Sequence, residues 1–441
     1  MRQSLKVALT SAPAVISSAH RKDREMTLND KSALDQALRQ AVAQTPITDI
    51  HTHLFPPAHG KLLLWGVDEL LTYHYLVAEL FTVAPRELTP EAFWKLPRRA
   101  QADLVWEHVF LRHGALSEAA RGVVTTLNKL DLDIAGRNLA GIREWFDRQD
   151  AEDYLRKVFD LAGLDYAVMT NDPFKSDEVA QWDAGRSVPE CLKAALRIDT
   201  LILDWPTAAA TMRSADCDTP DQLTPKGCDE ARRFLTDWAG RIDPLYLAAS
   251  LPPEFGYPCE AQYAEVIDRV VLPVARELGL PVALMIGVRK ALNPALGDGG
   301  DGVGIADVTA VANLCAANPN VKFLVTMLSR VNQHELCVCA RKFGNLHLFG
   351  CWWFCNDPSI IEEITRMRLE LLGATFTANH SDARVLDQLV YKWTHTRKIV
   401  ADVLAEKYAA LYDAGWRPSD EEVKRDVRAV LGGTFEEFLA K

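Results

Sequence analysis

The sequence predicts an α/β protein built as a (β/α)8 TIM barrel with a helical insertion after the first strand. Three observations predict it. Short apolar runs near residues 48, 167, 200, 283, 324, 347 and 377 alternate with helical patterns, and one further strand is unclear, which makes about eight β/α units. A length of 441 residues suits one large barrel with insertions. Polar residues suited to chemistry fall at the C-terminal ends of the runs, where this fold places its sites.

The first convincing strand carries Thr48-Asp49-Ile50-His51-Thr52-His53. At period two, both imidazoles leave the same face of a strand. Pro56-Pro57 then ends the strand and opens its C-terminal mouth. Paired neutral nitrogen donors there suit a divalent metal: zinc, with manganese, iron or nickel as alternatives. The plainer alternative makes one histidine a cap and the other a core residue.

Residues 1–45 read as an arm followed by a helix from Lys31 to Gln44, with Leu34, Leu38, Ala41 and Val42 on one face. The barrel itself is expected over 46–400. Residues 56–150 hold helical patterns at Val67–Leu80, Pro90–Phe110, Leu116–Lys129 and Ile134–Gln149, which read as a lid inserted after strand one. Tyr73-His74-Tyr75 lies within it. These three are either aromatic packing, or they bring His74 and Tyr75 over the barrel mouth as polar contacts.

From 151 helix and strand alternate. Tyr154–Ala162 is helical with Gly163 as its cap. Tyr166–Thr170 is a strand running into Asn171-Asp172-Pro173. Leu192–Leu203 is a strand region with Arg197 and Asp199 at alternate positions. Residues 205–260 read as a second, mixed insertion. A helix at Ala261–Leu278 precedes the strand Pro281–Ile286, which ends in Gly287-Val288-Arg289-Lys290. The glycine-rich Gly297–Gly302 lacks the spacing of a phosphate cradle and reads as a flexible loop. Strands at Lys322–Thr326, Leu346–Phe349 and Thr375–Ala378 alternate with helices at Ile305–Ala317, Asn332–Phe343 and Pro358–Leu372. From Val385 onward the chain is helical, with 401–441 packed on the barrel and capping boxes at Ser419/Glu422 and Thr434/Glu437.

Composition narrows the function classes. A net charge of −11 argues against nucleic acid or an anionic membrane as partner. No run reaches the roughly 18 apolar residues of a spanning helix. The N-terminal Val7–Ile16 run is broken by Thr10, Ser11 and Pro13, so a cytoplasmic protein is expected rather than an exported one. Nine cysteines, an odd number without scaffold spacing, fit a reducing compartment. Cys337, Cys339, Cys351 and Cys355 read as buried thiols rather than a thiolate zinc site. Size and charge permit a homo-oligomer.

Closing a barrel sets its last strand beside its first, so Asp382 can join His51 and His53 as a third ligand and can also move protons. Alternatively Asp382 caps the next helix. Arg384, Arg197 and Arg289 fall near strand ends, and together they suggest a carboxylate or phosphate on the substrate.

These motifs resemble the amidohydrolase superfamily and, within it, the uronate (glucuronate) isomerases. Trp352-Trp353-Phe354 followed by Asn356-Asp357 resembles that family's Gly-x-Trp-Trp-Phe-Asn-Asp, here with Cys355 inserted. Asp382-Ala383-Arg384 resembles its Asp-Ser-Arg, and His74-Tyr75 its His-Tyr. Thr170–Pro173 resembles its Thr-Asp-Asp-Pro, Arg197-Ile198-Asp199 its Arg-Pro-Asp, and Met285-Ile286-Gly287 its His-Ile-Gly. The matches keep the family's order over residues 48–400. Met285 stands where the family has histidine, and His380 where it has a smaller residue. The resemblance implies aldose–ketose isomerisation of a hexuronate, D-glucuronate or D-galacturonate, with a metal on His51, His53 and Asp382. It implies Asp382, Tyr75 and His74 as catalytic groups, Arg384 and Arg197 on the sugar acid, and Trp352 and Trp353 as pocket walls. The rival reading is a metal-dependent hydrolase of the same superfamily; a third is a non-catalytic sugar-acid binder.

Overall fold

The computed structural model describes residues 30–441. The arm and the leader-like run expected before Asp30 lie outside the described residues. Among the described residues there are nine strands: β1 (Ile47–Thr52), β2 (Leu164–Asn171), β3 (Leu192–Arg197), β4 (Pro244–Leu251), β5 (Val282–Ile286), β6 (Val288–Arg289), β7 (Gly302–Val303), β8 (Phe323–Met327) and β9 (Leu346–Leu348). All but β6 and β7 form one parallel sheet in the order β1-β2-β3-β4-β5-β8-β9, each joined to the next by helical crossovers. β6 and β7 make a small antiparallel hairpin over the C-terminal ends.

The ring closes through an irregular eighth segment rather than a regular strand. Thr377 bridges Phe349, the Asp382 amide donates to the His51 carbonyl at 3.1 Å, and the His53 amide donates to the Ala383 carbonyl at 2.8 Å. The sheet is thus a closed TIM barrel. Its strands are buried on both faces, and alternate residues divide between two cores. Ile50, Val168, Ala195, Tyr246, Ala248, Ala283, Met285 and Leu324 fill the interior. Ile47, Ala167, Met169, Leu196, Leu247, Leu284 and Val325 face the outer helices. Residues 429–440 plug the N-terminal end, where Phe435 and Phe438 join the interior set. Gly432 (φ 128°) makes the approach to β1: a Cβ there would sit 2.5 Å from Thr48 Cβ.

Several expectations need correction. The stretch 205–260 is not an insertion, because β4 lies inside it, preceded by the helix Pro225–Ile242. The strand region at Leu192 stops at Arg197, and Asp199–Leu203 turns helical. The helix expected at Val67–Leu80 breaks after Leu71 and restarts at His74. Only one of the two capping boxes forms, at Ser419/Glu422. Thr434 instead donates its hydroxyl to the carbonyls of Phe376 and Ala429, tying the plug to the eighth segment. The helix Lys31–Gln44, the Gly163 cap and the helix Pro358–Leu372 form as expected. All nine cysteines are free thiols. Among the described residues no helix is long and apolar enough to cross a membrane.

Candidate active site and metal centre

β1 carries His51, His53 follows directly after its last residue, and the eighth segment delivers Asp382. His51 is 1% exposed, whereas the His53 side chain keeps 28% open toward the mouth. Asp382 Oδ1 lies 3.6 Å from His51 Nε2 and 3.3 Å from His53 Nε2. Two ligands at about 2.1 Å from a metal and at a tetrahedral angle stand about 3.4 Å apart, so the donor set fits a divalent cation. The orphaned atoms agree: His51 Nε2 and Asp382 Oδ1 are buried without a hydrogen-bond partner. Among the described residues this is the one group of three or more histidine, cysteine or acidic side chains with ligand atoms within 4.8 Å of one another.

Burial keeps the imidazoles in the neutral form that ligation needs. It pushes His51 down to about 3, helped by His53 beside it, and holds His53 well below the usual range. Burial raises Asp382 above the ordinary carboxylate range. Thr170 Oγ1 meets His53 Nδ1 at 2.9 Å and fixes that ring.

The triad opens on a cavity of about 440 Å³ bounded by His53, His74, Arg197, Trp352, Trp353, Asp382 and Arg384. Arg197 forks onto Asp199 (Nε–Oδ2 2.8 Å, Nη2–Oδ1 3.1 Å), and Asp199 is held by the Ser250 amide on β4. The Arg384 guanidinium meets Asp298 at 2.5 Å across the mouth. His74 opens its helix against Trp353, with ring centroids 5.4 Å apart. Its Nε2 is buried and unpartnered, and burial pushes the ring down to about 3. Tyr75 stands behind this wall. Its hydroxyl is buried without a partner, and burial together with Tyr73 and Asp382 raises it well above the phenol range.

One anion-binding expectation fails. Arg289 lies on the outward face of the hairpin strand β6 and is exposed, while Val288 before it and Lys290 after it reach the cavity. Several lining residues were missed from the sequence: Tyr73, Lys175, Glu178, Lys290 and Asp298. Asp298 belongs to the glycine-rich loop, which is a wall of the site rather than a slack connection. Glu178 accepts the Asp172 amide at 2.8 Å, and burial pushes it up to about 7. A single lysine on the apolar face of Gln388–Asp413 was the readable signal for one more buried cation, Lys392. Two of the four cysteines bond to main-chain oxygens: Cys351 donates to the Ala378 carbonyl and Cys355 to the Leu328 carbonyl.

No family model matches the chain, and no curated protein sequence matches it. Solved structures do. A uronate isomerase from Thermotoga maritima covers 94% of this chain and 100% of its own at TM-score 0.72 and 14% identity. A glucuronate isomerase from Caulobacter crescentus covers 95% and 96% at TM-score 0.71 and 15% identity. At those identities the likeness bears on the fold alone. A uronate isomerase from Bacillus halodurans C-125 is 47% identical, at TM-score 0.92, over 94% of this chain and 98% of its own. Likeness of that degree along nearly the whole of both chains, with the triad and its cavity in place, means that this chain belongs to the uronate isomerase family.

Proposed function

We propose that the protein interconverts an aldohexuronate, D-glucuronate or D-galacturonate, and the corresponding ketohexuronate. The observation that carries the reading is the His51/His53/Asp382 triad at the inner end of a sugar-sized cavity whose mouth holds Arg384. The reaction moves one proton from C2 to C1 and another from the C2 oxygen to the C1 oxygen. We assign a zinc ion to the triad, where as a Lewis acid it would orient and polarise the oxygens on C1 and C2.

The chain's own residues do the rest. Asp382, its basicity raised by burial, takes the C2 hydroxyl proton. Tyr75 keeps its proton at any physiological pH and serves as a polarising donor beside Asp382. His74 is a neutral polar contact on the sugar. Arg384 binds the substrate carboxylate, exchanging Asp298 for it, and Arg197, pre-oriented by Asp199, holds hydroxyls at the opposite wall. Trp352 and Trp353 exclude water from the sugar face. The helices between β1 and β2 cover the mouth. The free thiols support a reducing, cytoplasmic setting.

The test is proton NMR of the zinc-loaded protein with each uronate in D2O. Ketose signals carrying deuterium at C1 or C2 are expected. Ketose without deuterium keeps the isomerase and replaces solvent-exposed proton transfer by a shielded one. Unchanged spectra with both sugars would overturn the reading.

A further inference from the structure

Apart from the Thr377 bridge and the main-chain bonds that join Asp382 and Ala383 to His51 and His53, the eighth segment has no strand pairing to hold it. Between Asn379 and Ala383 the backbone is gripped largely by side chains from elsewhere. Asn356 Nδ2 donates to the His380 carbonyl at 2.9 Å. The Ser381 amide donates to Asp49 Oδ1 at 3.0 Å, and Lys392 Nζ donates to the Ser381 carbonyl at 2.5 Å. Ser381 Oγ accepts the Ala383 amide at 3.1 Å. Asp382, between them, has φ 53°, a left-handed conformation that a non-glycine residue keeps only where its surroundings impose it.

Asp49 and Lys392 are 0% and 4% exposed. They hold the two consecutive peptide groups that flank Ser381. The carboxylate accepts the Ser381 N–H of the first and the ammonium donates to the Ser381 C=O of the second, so each charge faces the peptide end of opposite partial charge, and both bonds are charge-assisted. The grip is itself braced: Trp393 Nε1 donates to Asp49 Oδ2 at 2.8 Å, and the Lys392 ammonium lies 5.9 Å from the centre of the Tyr75 ring. Asp49 shares β1 with His51, the strand ending one residue before His53, and Lys392 sits beside Trp393 on the helix Gln388–Asp413. The two residues therefore tie the segment carrying the third ligand to the stretch carrying the first two.

We propose that Asp49 and Lys392 are positioning residues that clamp the two peptide groups flanking Ser381 and so hold the Asp382 carboxylate in its ligating direction. The inference rests on the metal site of the proposed function and extends it to residues that touch neither metal nor sugar. Releasing the clamp lets Asp382 relax toward ordinary backbone angles and swings its carboxylate away from the imidazoles. The loss falls on ligation and turnover, not on sugar affinity.

The experiment is a cobalt(II) titration of chelator-treated full-length protein, reading the visible ligand-field band, with Lys392→Met and Asp49→Asn beside wild type and Asp382→Ala. Asp49→Asn is isosteric and guards against a misfolded Lys392→Met. Cobalt affinity is expected to fall roughly 10- to 100-fold in Lys392→Met and in the same direction in Asp49→Asn. The band should shift toward that of Asp382→Ala, and kcat should drop while KM stays within about twofold. Wild-type affinity and band in both variants would overturn the clamp. So would weaker binding with an unshifted band, which marks general support only. If wild type binds cobalt at the triad but converts neither uronate, the isomerase reading falls while the band shift still judges the clamp. If wild type binds no cobalt there, the clamp falls with the metal site.

Discussion

The proposed function divides the work of the site between ligation by His51 and anion binding by Arg384, and their substitutions should separate accordingly. His51→Ala removes a fully buried nitrogen donor. Bound divalent metal, read by elemental analysis, should drop from one per chain toward none, and turnover should fall by more than about 100-fold. Arg384→Met removes the proposed charge-assisted partner of the substrate carboxylate while leaving the triad intact. At about 1.5–3 kcal/mol for such a bond, kcat/KM should fall roughly 10- to 150-fold with metal content unchanged. Steady-state kinetics with metal analysis on one preparation checks both. The sequence exposed these residues because chemistry and spacing coincide in them: Asp-x-His-x-His at period two, and Asp-x-Arg past the last strand. It concealed Asp298 and Lys290, whose place at the mouth depends on how the loop between β6 and β7 folds back. It misplaced Arg289 because pleating alternates sides, and one step along β6 turns a cavity residue into a solvent one.

Elements differ in how openly the sequence declares them. The helix Lys31–Gln44 and the cap at Gly163 follow from periodicity and turn chemistry alone. β4 was hidden because Pro244-Leu-Tyr-Leu-Ala-Ala-Ser-Leu251 is covered on both faces and shows no alternation, and its leucines and alanines suit a helix equally well. The eighth segment was readable as far as Thr377 but not beyond, since its conformation is imposed by Asp49, Asn356 and Lys392, which are distant in sequence. The plug was legible as helix and illegible as barrel filling. Phe435 is 0% exposed and packs on Tyr246, ring centroids 6.2 Å apart. Phe435→Ala should cost about 3–5 kcal/mol, seen as a lowered midpoint in urea, with KM for the uronate unchanged because the cavity lies at the other end of the barrel.

Across the whole molecule, burial of ionisable groups sets how stability depends on pH. His51, His74 and His347 are pushed by burial to about 3, and His53 and His380 lie well below their usual 6.5. These rings bind protons only in the unfolded chain once pH drops below 6.5, so stability is lost as pH falls through that value. Burial raises Asp49 and Asp387 to about 6 and Glu178 to about 7. Those carboxyls bind more protons when folded and oppose the trend, as do Asp382, Asp172, Asp357 and Glu69, which burial also raises. In the metal-free protein the imidazole share of the stability is lost from pH 6.5 toward about pH 4, and urea unfolding at stepped pH reads it. His347 isolates the effect, since it lies at the plugged end, bonded to Thr377 at 3.0 Å and remote from the sugar cavity. His347→Leu should flatten the slope by about 1.4 kcal/mol per pH unit in that window and leave turnover alone.

The plug also has a consequence for biosynthesis. A ribosome makes every strand of the barrel before it makes residues 429–440, so the nascent ring exists for a time with Ile50, Val168 and Tyr246 lacking the phenylalanines that complete their packing. The barrel cannot finish as it is translated, and a chain interrupted before Phe435 leaves an apolar socket for chaperones and proteases to recognise.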